Sequence, residues 1–76
     1  MTFNIKIANT EEAQKLNAIA TTYACDIWLH GKQGSAHAKS LLGLMLMTME
    51  NEVKLVVDDG VDVKMIKKDF AEFIVD

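Results

Sequence analysis

The sequence predicts an open-faced β-sandwich of the α+β class, in which a four-stranded antiparallel sheet carries three helices on one face. Four short segments alternate apolar and polar residues with a period of two, and three further segments, two between them and one after the last, read as helices. The chain has 76 residues, half of them apolar, which suffices for one two-layer core and no more. Residues 1–76 therefore read as a single domain.

Phe3, Ile5 and Ile7 alternate with Thr2, Asn4 and Lys6 and predict a half-buried first strand. Asn9-Thr10-Glu11-Glu12 follows, with Asn9 at a natural N-cap and Glu12 at the reciprocal position of a capping box. Leu16, Ile19, Ala20 and Tyr23 then extend an amphipathic helix over about 10–24. Cys25, Ile27 and Leu29 alternate with Asp26, Trp28 and His30 as a second strand. Gly31-Lys32 reads as a hairpin turn into a third strand from Gln33 to His37. The small residues Gly34, Ala36 and Ala38 imply that something packs closely above that strand. Lys39 to Met47 is a short apolar helix rich in leucine and methionine. Val53, Leu55 and Val57 line one face of a fourth strand, and Asp58-Asp59-Gly60 makes the next turn. Val63, Ile66, Phe70, Phe73 and Ile74 trace the inner stripe of a closing helix capped by Asp62.

Composition excludes several classes of function. Formal net charge is −3, and all eight basic residues are lysines. A protein without a basic face or arginine is a poor nucleic-acid binder and lacks the bidentate fork that grips phosphate. The apolar run Leu41–Met47 is far short of the roughly 20 residues a membrane-spanning helix needs, so no membrane association is expected. The single Cys25 forms no internal disulfide, no Cys/His cluster offers a metal site, and no cofactor is implied. A reducing cytoplasm suits such a chain.

The order β-α-β-β-α-β-α and one motif together bear a family likeness. Ala38-Lys39-Ser40-Leu41-Leu42-Gly43-Leu44-Met45 resembles the segment around the regulatory serine of HPr, the phosphocarrier protein of the bacterial sugar phosphotransferase system. In that family a serine opens a short apolar helix interrupted by one glycine. The stretches Asp26–Ala38 and Val53–Asp62 fit the same pattern, so the likeness covers strand one and roughly residues 25–76. It departs where the family does its chemistry. The family's phosphoryl acceptor is a histidine just before the first helix, followed by an arginine and a proline. Here Asn9 stands nearest the histidine, Glu11 and Glu12 stand nearest the other two, and no histidine precedes His30. Carboxylates in the first turn stabilise a helix but repel an incoming phosphoryl group. The resemblance thus implies a regulatory or interaction protein, similar to the catabolite-repression HPr paralogues that also lack the acceptor histidine. It is not expected to be an enzyme. A generic interaction domain and an unorthodox phosphocarrier using His30 or His37 are the alternatives.

Ser40 is the candidate regulatory phosphosite, with Lys39 as a nearby cation; capping a short helix is what a serine there would otherwise do. Leu41, Leu44 and Met45 are candidates for docking a protein partner, an HPr kinase or a transcriptional regulator. Core packing of Leu41 and Leu44 is the competing explanation, and Met45 is then the exposed member. His30 and His37 are expected on the uncovered sheet face, with His37 opposite Asp26 as a cross-strand polar pair. Trp28 is expected on the same face near Val56, as a contact surface for a partner or for a homodimer.

Overall fold

A computed structural model describes residues 1–75. The elements are β1 (Thr2–Ile5), α1 (Thr10–Thr21), β2 (Ile27–His30), β3 (Ser35–His37), α2 (Leu41–Met47), β4 (Val53–Val57) and α3 (Val63–Asp69). The sheet has the order β1-β4-β2-β3, with every neighbouring pair antiparallel. Alternation sorts the strands as the sequence predicts. Ile5, Ile27, Leu29, Val53, Leu55 and Val57 are buried beneath the helices, whereas Thr2, Asn4, Trp28, His30 and Lys54 face outward. Ala13, Leu16 and Ala20 of α1, Leu44 and Met47 of α2, and Ile66, Phe70 and Phe73 close the core from the other side.

Several boundaries differ from the expected ones for local reasons. Helix α1 ends at Thr21, before Tyr23. The hydroxyls of Thr21 and Thr22 donate to the carbonyls of Ala18 and Ile19 at 2.8 and 2.6 Å, competing for the last helical acceptors. Tyr23 is nevertheless buried just beyond the cap. Strand β2 begins at Ile27, two residues after Cys25. The hairpin is closed by Gly31-Lys32-Gln33-Gly34, with Gly31 N–H donating to the Gly34 carbonyl at 2.8 Å. The loop thus takes two residues more than a Gly31-Lys32 turn, and β3 starts only at Ser35. The register moves with it, so His37 lies opposite Trp28 and not opposite Asp26. Helix α2 begins at Leu41, with Lys39 outside it. Helix α3 stops at Asp69, and Ile74 leaves the expected helix to bridge Ile5 on the edge of the sheet.

The small residues of β3 do receive a close neighbour. A Cβ added at Gly43 of α2 would come within 2.9 Å of Ala36 Cβ, so only glycine permits this approach of helix to strand. The Asn17 side chain adds a second tie, donating from Nδ2 to the Ala38 carbonyl at 3.2 Å and fixing the segment that leads into α2 against α1.

Candidate functional site

Three surfaces gather the candidate residues. The first is the start of α1. Asn9 is its N-cap, in extended backbone conformation, and its side chain accepts from Glu12 N–H at 2.9 Å. Glu12 Oε1 in turn accepts from Ala8 N–H at 2.9 Å, one residue before the donor of a standard capping box. Two main-chain donors at this helix end are therefore taken by the protein's own side chains, and Glu11 stands exposed in the same turn. The arrangement holds negative charge against the positive end of the helix dipole. A phosphoryl group brought here would meet two carboxylates, with the Ala8 and Glu12 N–H groups already taken.

The second surface is α2. Ser40 is its N-cap and is exposed, and its Oγ accepts from Gly43 N–H at 3.4 Å, a long bond for a cap. Lys39 is half-buried beside it. His37 anchors the approach to this helix from below. Its carbonyl accepts from Ser40 N–H at 2.9 Å, and its Nδ1 accepts from Lys39 N–H at 3.1 Å. With Nδ1 an acceptor, the ring proton sits on Nε2 and points at Asp26 Oδ1, 3.1 Å away.

Of the expected docking residues, Leu44 is removed from the surface altogether, being fully buried. Leu41 and Met45 are exposed, so Leu44 alone takes the core role foreseen for the pair Leu41 and Leu44. Leu42, Leu46 and Met49, not singled out from the sequence, are the most exposed apolar side chains of this region. The available signal was that no polar residue occurs from Leu41 to Met47, so whichever side faces the core, the opposite side is apolar too.

The third surface is the open face of the sheet. Thr2, Val56, Trp28 and His37 form one row across it, and Asn4, Lys54, His30 and Ser35 the next. Trp28 is exposed to 41% and meets the His37 ring edge-on, with centroids 4.8 Å apart. His30 and His37 share the face but lie in different rows. Among the described residues, no three His, Cys, Asp or Glu side chains converge as a metal site would require.

Comparison with known proteins is consistent with this layout. Residues 5–75 match the sequence model of the family described as PTS HPr component phosphorylation site. A search of curated proteins finds no match. Among solved structures, the chain is similar to the crystal structure of HPr-C-His from Thermoanaerobacter tengcongensis. That match has a TM-score of 0.72 and 24% identity, and it covers 95% of this chain and 88% of that one. At that identity the likeness is one of fold.

Proposed function

We propose, for a chain that belongs to the HPr family of the phosphotransferase system, a regulatory or interaction role in place of phosphoryl transfer at the start of α1. The observation that carries this reading is the pair of reciprocal bonds there: Asn9 to Glu12 N–H, and Glu12 to Ala8 N–H. They take the N–H groups of Ala8 and Glu12 and put carboxylates where a phosphoryl group would sit. The protein then acts by binding other proteins, with the outer side of α2 as its docking surface and Ser40 as the residue that modification would address. A phosphate added at Ser40 would bring roughly two negative charges to an exposed helix cap beside Lys39, changing what the helix can dock.

Incubation with phosphoenolpyruvate and the general first enzyme of the phosphotransferase system is expected to leave the protein unmodified. An acid-labile phosphate on His30 or His37 would make it a carrier after all and overturn the reading. An HPr kinase with ATP is expected to add one acid-stable phosphate, absent from Ser40→Ala. Because the cap bond is long, that variant should lose only the lower part of the usual range of about 0.5–2 kcal/mol. A wild-type protein that takes no phosphate from the kinase would leave Ser40 with capping alone.

A further inference from the structure

The two edges of the sheet differ. Beyond β1 the chain closes its own ladder, with Ile74 bridging Ile5 and Val75 N–H donating to the Asn4 carbonyl at 3.0 Å. Beyond β3, the last strand in the order β1-β4-β2-β3, no strand pairs among the described residues. The register fixes which main-chain groups are left over. Gly31 N–H donates to the Gly34 carbonyl and Ala38 N–H to the Ile27 carbonyl, both at 2.8 Å, so Gly34, Ala36 and Ala38 turn their main-chain groups to β2. Ser35 and His37, one step out of phase, turn theirs away. The His37 carbonyl is taken by Ser40 N–H. Among the described residues, nothing in the protein bonds the N–H and C=O of Ser35 or the N–H of His37. A groove runs along this edge. Its cavity of about 300 Å³ has Gly34, Ser35 and Ala36 on one wall and Gly43, Leu46 and Met49 on the other. Glu50, at the hairpin end, is the one charged side chain that lines it. Its Oε1 accepts from Lys32 N–H at 3.1 Å, which leaves the second oxygen free and the charge unneutralised. Among the described residues, no cation lies within ion-pair distance of it.

We propose that β3 is the docking edge for an extended segment of another protein, added antiparallel as a fifth strand, with an apolar residue followed two positions later by a lysine or arginine. Strand addition to an open edge draws its affinity from main-chain bonds and its specificity from pockets for alternate side chains. The residue opposite Ser35 exchanges two bonds with it, and His37 N–H donates a third. The residue opposite Ala36 shares its face and enters the groove between the strand and α2. A cavity of this size lies at the lower limit for small-molecule sites, about 300–1,000 Å³, and suits one apolar side chain. Two residues further on, opposite Gly34, the partner's side chain returns to the same face beside Glu50, where a cation meets the unneutralised carboxylate. A three-residue edge is too short to recruit strands on main-chain bonds alone, so the groove and Glu50 decide what binds. A second copy is a poor occupant, because its own edge, Ser35-Ala36-His37, offers neither the large apolar residue nor the lysine. The inference rests on the reading that the protein acts by binding other proteins, extends it from α2 to the strand beside it, and names the form of the partner. Its failure leaves the outer side of α2 as a docking surface, whereas an acid-labile phosphate on a histidine removes the regulatory reading itself.

Titration with the synthetic peptide Ser-Thr-Ser-Leu-Thr-Lys-Ser-Thr-Ser, followed by amide NMR, tests it. The Ser35 and His37 amides are expected to shift most and to exchange with solvent more slowly than in the free protein. Replacing the peptide's lysine by glutamate should weaken binding by about tenfold or more. Glu50→Gln, which keeps an oxygen for Lys32 N–H, should remove most of that discrimination. N-methylation of the threonine between leucine and lysine, which deletes the donor to the Ser35 carbonyl, should weaken binding by a similar factor. No shift at peptide concentrations on the order of millimolar overturns the proposal. So does binding that moves Leu42 and Met45 but neither Ser35 nor His37, or binding indifferent to N-methylation. A preference for lysine that persists undiminished in Glu50→Gln overturns the pairing with Glu50.

Discussion

The hydroxyl of Tyr23 donates to Asp69 Oδ2 at 2.6 Å, and its buried ring leans on Phe70 with centroids 6.0 Å apart. Burial first, then the hydrogen bond and the charge of Asp69, hold the phenol well above its ordinary range. The folded protein thus keeps the proton that the unfolded chain releases near pH 10. Stability from this group is complete below about pH 10 and is lost as pH rises toward the folded value. Chemical denaturation between pH 8 and 11 should show wild type losing more stability than Tyr23→Phe, and equal slopes would refute the account. At neutral pH the variant should be weaker by about 1.5–3 kcal/mol, the worth of a hydrogen bond to a charged partner. As the one tyrosine of the chain, Tyr23 can also be followed by phenolate absorbance. Its burial was legible from the helical spacing with Leu16, Ile19 and Ala20. Its partner, 46 residues away, was not, because local pattern carries no information about which distant carboxylate will meet a hydroxyl.

Among the elements, α2 and β3 fit as a pair through Gly43 and Ala36. Alanine at position 43 would improve helix propensity by about 1 kcal/mol. It would also drive a methyl to 2.9 Å from Ala36 Cβ, and a strand-anchored Cβ cannot swing aside. Overpacking of that kind costs about 1–3 kcal/mol, so the clash wins and Gly43→Ala should destabilise. The penalty should shrink in an Ala36→Gly background, and a double-mutant cycle of denaturation free energies that came out additive would deny the contact. The order of elements and the buried sides of the strands were readable from alternation alone. The hairpin register was not, because Gly31 and Gly34 both invite a turn, and the bond between them settles the competition in favour of the longer loop. Which side of α2 faces inward was hidden for a different reason: a helix with no polar residue has no preferred side until the sheet supplies one. At the α1 start the reverse holds, since Asn9, Glu11 and Glu12 announce their geometry in their identities, with only the Ala8 donor shifted by one residue.

For the whole molecule, the decisive closure is at β1. On one side it pairs with β4. On the other, Ile5 bridges Ile74, Lys6 N–H donates to the Phe73 carbonyl at 2.9 Å, and Val75 N–H donates to the Asn4 carbonyl at 3.0 Å. An edge that would invite foreign strands is thereby occupied by the chain's own last turn. Phe73 is fully buried beneath it. Phe73→Ala should cost about 3–5 kcal/mol, a large share of the roughly 4–11 kcal/mol that a domain of this size possesses. A midpoint close to physiological temperature is expected in thermal unfolding, and a fall of only a few degrees would argue against Phe73 as a keystone. The same closure sets an order in time. During synthesis β1 is made first, yet both of its neighbours are among the later segments to leave the ribosome. The β2–β3 hairpin can zip while translation continues, because its contacts are local. Phe3, Ile5 and Ile7 therefore cannot be covered until residues 53–75 have been made.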